Sequence, residues 1–303
     1  MGNRKVRLGQ IDKEILMILY RFLWVYDYHV AALIGENQSY VKGRLKQLAQ
    51  AGLVGRKILL GNQPAANWIT KTGMQELGVE PRKVHEPRPK TCEHDRACSD
   101  IYTALAISTA VRDGKCIRLR DLNSVVTERD LLAARKTVAT GYQTKSGKMI
   151  YKPVDLAHRP DGYLITKLGQ YIAIESELTP KSKKKKLFDN IDSNFLFFTA
   201  QWWFTDKESI KNAILSHANE MGMSDRVKVF SLTKVHDQLL RYVHSQPETI
   251  SKKDLRQRIS AVLSCVPTVI PTEELPQQMI PESENRNTDR QTAMPQRHVK
   301  LEE

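Results

Sequence analysis

Apolar residues recur at helical spacing from the start of the chain: Ile11, Ile15, Ile18, Leu19 and Phe22 mark one stripe of a first helix. Asp27 is placed to cap a short second helix through Leu33, and Gly35 to end it. A third helix is expected over residues 38–50, with Val41, Leu45 and Leu48 inward and Lys42, Arg44 and Lys46 outward. Ala51-Gly52-Leu53-Val54 closes that helix and enters a strand, Gly61-Asn62 marks a turn, and residues 67–70 return as a second strand. Three helices followed by a two-stranded ribbon is the order of a winged helix-turn-helix, which these patterns assign to residues 1–80.

The pattern breaks at EPRKVHEPRP, where prolines and charges displace the apolar periodicity, so residues 81–90 read as a linker. An amphipathic helix follows over 95–111, with Ala97, Ile101, Leu105 and Ile107 on its apolar side, then a strand at 116–119 and a helix near 128–135. Residues 163–165 and 171–174 are two strands separated by Lys167-Leu168-Gly169. Next come a lysine-rich helix from Lys181 to about Asn190, a buried-looking strand at 195–199, a helix from after Asp206 to about Met221, and a last strand at 227–232. Such alternation predicts an α/β domain over residues 91–265. Trp202 and Trp203 read as core or interface residues rather than base-stacking platforms. Beyond Val266 the chain is polar, proline-dotted and free of aromatics, which predicts a disordered tail over 266–303.

Composition narrows the class. The 303 residues carry a formal net charge of +13, an excess that points to a polyanionic partner, DNA above all. No stretch reaches the roughly 18 apolar residues of a membrane span, and the first apolar run is broken by Asp12, Lys13 and Glu14, unlike a signal peptide. Cys92, Cys98, Cys116 and Cys265 form no disulfide-like pattern, which fits reduced thiols and a cytoplasmic location. Cys92, His94 and Cys98 are close in sequence but match no common zinc template, so zinc is not expected there.

The basic residues concentrate where a DNA-reading surface would lie. Lys42, Arg44 and Lys46 would face out from the third helix, Arg56 and Lys57 from the ribbon, and Ser39 and Tyr40 would stand at the helix N-terminus, where phosphate contact is easiest. The plain alternative is a three-helix scaffold with a basic surface, or one used for protein contacts.

Candidate chemistry lies in HRPDGYLITKLGQYIAIESELT. If Lys167-Leu168-Gly169 is a three-residue turn with Gly169 left-handed, residue 161 pairs opposite residue 175; a two-residue turn would send them to opposite faces. Asp161, Glu175 and Glu177 would then converge, and converging carboxylates need a cation between them. Mg²⁺ or Mn²⁺, completed by water and a phosphate oxygen, would satisfy them. The competing reading is a turn-capping aspartate and two exposed strand-end glutamates. Lys181, Lys183, Lys184, Lys185 and Lys186 would track phosphates beside such a site or form a solvated helix face. His94 and Asp95, opening the 95–111 helix, and Glu128 are supporting candidates.

Pro160-Asp161, a strand and then Glu175 resemble the PD-(D/E)XK nuclease motif. More narrowly, His94-Asp95, Thr127-Glu128-Arg129-Asp130, Arg159-Pro160-Asp161-Gly162-Tyr163 and Glu175-Ser176-Glu177-Leu178-Thr179-Pro180-Lys181-Ser182 look like the replication-relaxation family of plasmids and mobile elements, and are similar to the MobC-type relaxases. The resemblance spans roughly residues 10–235. It implies a winged helix joined to a restriction-endonuclease-like core, Mg²⁺-dependent nicking of DNA at an origin, and Asp161, Glu175, Glu177 and Lys181 as the catalytic set. Glu177 stands where the nuclease motif wants lysine, and Lys181 would have to reach in from the next turn. The rival expectation is a non-enzymatic mobilisation or replication factor whose nuclease core has decayed. A third is a repressor whose α/β part mediates dimerisation.

Overall fold

The N-terminal pattern folds in the expected order: α1 (Gln10–Arg21), α2 (Asp27–Ile34), α3 (Gln38–Gln50), then β1 (Val54–Lys57) paired antiparallel with β2 (Ala66–Ile69). The computed structural model describes residues 7–264 apart from 60, 62, 112–121, 135–138, 144–148, 154–158, 180–183 and 246–250; the strand expected at 116–119 and the tail expected at 266–303 lie outside the described residues. α3 starts where it does because Asn37 Oδ1 accepts from the Ser39 N–H at 2.8 Å. α2 stops at Gly35, whose φ of 66° is the left-handed closure favoured by glycine. Ile15, Leu19, Val41, Leu45 and Leu48 are fully buried, so the helical stripes face a common core. The pattern did not reveal α4 (Lys71–Leu77), which is capped by Thr70: its Oγ1 accepts from the Gly73 N–H at 3.0 Å.

The chain continues through α5 (Cys92–Val111), β3 (Leu122–Val126), α6 (Glu128–Ala134), the hairpin β4 (Ala139–Gln143) and β5 (Met149–Pro153), β6 (Gly162–Thr166) and β7 (Tyr171–Ser176). It ends, among the described residues, with α7 (Lys184–Phe197), β8 (Ala200–Phe204), α8 (Glu208–Glu220), β9 (Val227–Phe230), α9 (Leu232–Ser245) and α10 (Lys252–Ser264). Five strands form one mixed sheet in the order β3-β6-β7-β8-β9, antiparallel from β3 to β7 and parallel from β7 to β9. The protein is therefore mixed α/β. Alternation along the strands turns Leu164, Ile172, Ile174, Trp202 and Phe204 into the core that includes α5. Trp203 goes to the opposite face, where it packs with Leu187 and Ile191 of α7 and Ile210 and Ile214 of α8. No helix of the described residues is long and apolar enough to cross a membrane.

One expected strand is misplaced. Residues 195–197 finish α7, the Phe198 N–H still bonds to the Asn194 carbonyl, and the strand is Ala200–Phe204. A short apolar run cannot be told from a helix end by periodicity alone. The exposure of Leu196 (61%) within that run reflects the helical period. Trp202 and Trp203 are buried on β8, as expected of core residues.

The linker region lacks helix and strand but is fastened to its surroundings. The Tyr20 hydroxyl donates to the Glu80 carbonyl at 3.1 Å, and the Arg82 guanidinium lies 4.2 Å above the Tyr20 ring. The hydrophobic core runs without a break from α1–α3 through α5, α9 and α10 to one face of the sheet. The sequence boundary near residue 80 is thus not a boundary in the core.

Two buried carboxylates sit along this junction. Asp130 receives Arg21 Nε at 3.0 Å and Nη2 at 2.8 Å, Arg82 Nη1 at 2.8 Å and the Thr127 N–H at 3.2 Å. Asp100 receives the Tyr28 hydroxyl and His29 Nε2, both at 2.8 Å, and lies 3.1 Å from His236 Nδ1. His29 Nδ1 accepts the Tyr26 N–H at 3.0 Å, so the proton of that ring is on Nε2, pointing at Asp100.

Candidate functional site

The start of β6 is held tightly. A Cβ on Gly162 would stand 2.6 Å from the Val126 carbonyl and 2.9 Å from the Tyr102 ring, so only glycine lets β3 and α5 close in here. The Tyr102 hydroxyl donates to the Asp161 carbonyl at 2.5 Å, and the Ser176 N–H donates to Asp161 Oδ2 at 2.7 Å. Asp161 is thereby fixed at the mouth of the β6–β7 pair.

The turn has the expected length. The Thr166 N–H bonds to the Gln170 carbonyl, Gly169 has φ 74°, and the pairing Gly162↔Ile174 puts position 161 opposite position 175. Asp161 and Glu175 each take a partner from a different helix. Asp161 Oδ2 lies 3.3 Å from His94 Nε2 on α5. Glu175 is buried, and its Oε1 accepts from Asn194 Nδ2 at 2.8 Å on α7, the helix of the opposite face. Asp161 precedes the strand, so the turn into β6 and the Ser176 amide set its direction, not the pleat. Glu177 lies past the end of β7, half-buried, with its N–H on the Phe204 carbonyl at 3.0 Å.

What gathers at Asp161 comes from α5 and α6. His94 and Cys98 are one helical turn apart and share a face, with Cys98 Sγ 3.8 Å from His94 Nδ1. One ligand atom from each of His94, Cys98 and Asp161 falls within 4.8 Å of the other two. Asp95 Oδ1 stands 3.7 Å from His94 Nδ1, while its Oδ2 accepts from Trp24 Nε1 at 3.1 Å. Asp95, Cys98, Tyr102, Thr127 and Glu128 line a small cleft roofed by Phe22. Of these residues, Tyr102 carries no signal in the sequence, and Cys98 stands four residues from His94, a spacing that matches no common zinc template but brings the two onto one helix face.

The cleft perturbs its own acids and bases. Burial, and then the charge of Asp161, push the Glu128 carboxyl up to about 7. Burial first, then Asp161, push the Cys98 thiol up to about 12. Proximity to the Cys98 sulfur and hydrogen bonds to Asp161 and Asp95 raise His94 well above the ordinary imidazole range. The Glu128 shift has a measurable consequence. Its folded value lies above its ordinary 4.5, so its contribution to stability is fully present below that pH and is lost as pH rises through about 7. The loss amounts to up to about 3 kcal/mol. Urea unfolding between pH 5 and 8 is expected to show this slope in the wild type and a flatter profile in Glu128→Gln; equal slopes would remove the assignment.

Of the expected DNA contacts, Ser39, Lys42, Lys46 and Lys57 are exposed, and Tyr40 is 45% exposed. Arg44 is a correction: it does not stand free of the scaffold but clasps the buried Asp12, with Nε at 3.0 Å and Nη2 at 2.6 Å from Oδ1. A buried carboxylate needs such a partner, so Arg44 ties α3 to α1. Arg56 is likewise engaged, with Nη1 donating to Asn67 Oδ1 at 2.6 Å. Lys185 and Lys186 are exposed in the first turns of α7, which Lys184 opens; Lys181 and Lys183 lie outside the described residues.

The resemblance implies Mg²⁺ or Mn²⁺. Both favour shells of oxygen, whereas the groups gathered at Asp161 are an imidazole and a thiol beside one carboxylate. These residues do not fit magnesium. Comparison with known proteins finds no matching family model, no similar curated protein and no similar solved structure.

Proposed function

We propose that the chain reads duplex DNA with residues 1–80, acting as a winged helix, and cuts one strand at the Asp161 cleft, in the manner of the mobile-element relaxases its motifs resemble. One observation carries the reading: residues 94, 128 and 161, which belong to three separate motifs of that resemblance, are neighbours, with His94 Nε2 3.3 Å from Asp161 Oδ2 and the charges of both acting on the Glu128 carboxyl. Further support comes from the sheet, whose motif-bearing strands β6 and β7 are interior strands that pack with α5 on one face and with Leu131 of α6 on the other, as a restriction-endonuclease-like core would require. In this role His94 stands beside the bound phosphate. Glu128 is tuned near neutrality, where a carboxyl both takes and gives up a proton readily. Asp161 orients His94. Lys42, Lys46 and Lys57 hold the duplex backbone.

The second reading, a non-cutting replication or mobilisation factor, is favoured by the engagement of Glu175 with Asn194 and by the poor fit to magnesium. Relaxation of a supercoiled plasmid carrying the cognate origin separates the two. Asp161→Ala is expected to abolish nicking and leave duplex affinity nearly unchanged, while Lys42→Ala/Lys46→Ala lowers affinity and reduces the salt slope of log K by about 2. Undiminished nicking by Asp161→Ala would end the cutting assignment. Tight origin binding by a wild type that never nicks would establish the second reading.

A further inference from the structure

We infer that the Asp161 cleft binds a borderline-soft divalent transition ion, Zn²⁺ foremost, through His94, Cys98 and Asp161. The inference rests on the proposed function only for the notion that the ion serves the cleft; the site itself is argued from its ligands.

The ligand set is unusual for a packing accident. Cys98 is 4% exposed and by itself would count as a small apolar residue. Here it shares a helix face with an imidazole one turn away, and the carboxylate facing that imidazole arrives from another element altogether. Thiolate, imidazole and carboxylate together are a zinc donor set, and sulfur selects against Mg²⁺ and Ca²⁺. With Zn–N and Zn–O near 2.0–2.1 Å and Zn–S near 2.3 Å, a tetrahedral centre has ligand-to-ligand edges of about 3.3–3.6 Å. His94 Nε2 and Asp161 Oδ2, 3.3 Å apart, already match such an edge, and with the Cys98 sulfur included one ligand atom from each of the three residues lies within 4.8 Å of the others.

The surroundings match as well. Asp95 Oδ1 lies 3.7 Å from His94 Nδ1, which puts a second carboxylate beside the imidazole, as is common around metal-bound histidines. The Ser176 amide fixes the Asp161 carboxylate from behind. Three protein ligands leave a fourth position for water or substrate, and Cys98 lines the same small cleft as Glu128. That is the arrangement of a working rather than a purely structural zinc centre. A dication there also offsets the negative charge that Asp161 and a thiolate concentrate in a half-buried place.

The test uses the full chain, stripped with a chelator and titrated with Zn²⁺ and with Co²⁺ as a spectroscopic stand-in, in the absence of DNA. One equivalent of either ion is expected to bind. The Co²⁺ form should show a thiolate-to-metal charge-transfer band with the intense visible bands of tetrahedral cobalt, and excess Mg²⁺ should displace neither ion. Cys98→Ala should lose the charge-transfer band and weaken binding at least about 100-fold, while Cys92→Ala, at a second buried thiol, leaves both unchanged. Should Cys98→Ala fail to fold, Asp161→Asn decides the matter: it should keep the charge-transfer band and weaken binding at least about 10-fold. Failure of the wild type to take up an equivalent of Zn²⁺ or Co²⁺, a charge-transfer band that survives in Cys98→Ala, or unchanged affinity in Asp161→Asn would each overturn the site. Ion binding by a protein that never nicks would remove strand cutting and leave the ion site standing; nicking without ion uptake would do the reverse.

Discussion

Replacing Asp130 with alanine is expected to lower the free energy of unfolding by about 3–5 kcal/mol, the loss typical when one partner of a buried ion pair is removed. Asp130 is 1% exposed and is the anion shared by Arg21 and Arg82, whose guanidinium groups approach it to 2.8 Å each. Burial already pulls the Arg21 guanidinium below its ordinary range, and the Asp130 charge works against that pull. Arg129, also buried, donates to the Leu19 and Phe22 carbonyls nearby, so without the carboxylate positive charge accumulates at the seam between α1 and α6. Urea unfolding is the measurement, with an unchanged slope expected. Arg21→Met added to Asp130→Leu should regain much of the loss, because an apolar pair of similar volume replaces the charges. A penalty below about 1 kcal/mol for Asp130→Ala would mean that the arginines find other partners.

Asp100→Ala is expected to be about as damaging, again roughly 3–5 kcal/mol, for a related reason. Removing the carboxylate strands the Tyr28 hydroxyl and the Nε2–H of His29, both buried and both aimed at it. The pH dependence identifies the cause. Burial pushes the Asp100 carboxyl upward, but the hydrogen bonds from His236 and His29 outweigh it and hold the group below the usual carboxylate range. Its folded value therefore lies below the unfolded value of about 3.9. The stabilisation is fully present above that pH and fades as acid titrates the folded group. Wild-type stability should consequently decline steeply below about pH 4, and the Asp100→Ala profile should be flatter there. Identical acid limbs would show that Asp100 is not the responsible group. Glu128 acts in the opposite sense at higher pH, so the two carboxyl groups can be told apart in one series of unfolding curves.

Much of the fold could be read from residue patterns. The third helix is legible because the Val41–Leu45–Leu48 stripe is a local signal, and the β6–β7 register because a three-residue turn closed by a left-handed Gly169 fixes it. The site was harder. Asp161, His94, Asp95 and Glu128 were singled out as residues, yet their partners depend on how α5 crosses the sheet, which no local pattern encodes. Register alone places Glu175 opposite Asp161; the helices above and below the sheet supply a partner to each, His94 on α5 and Asn194 on α7. The Arg44–Asp12 clasp was hidden because the partner lies on a different helix and is buried. α9 and α10 escaped notice although they complete the core, and the apolar run at 195–198 fits a strand and a helix end equally well.

The uninterrupted packing between α1–α3 and the sheet has a consequence for how the proposed reader and blade would cooperate. A head on a slack tether samples many positions along a duplex, whereas a head welded to its blade acts as a caliper. Scission would then fall at one set offset from the recognised bases. Inserting about five base pairs between them, half a helical turn, would carry the scissile phosphate to the far side of the duplex and silence the cut without weakening the grip.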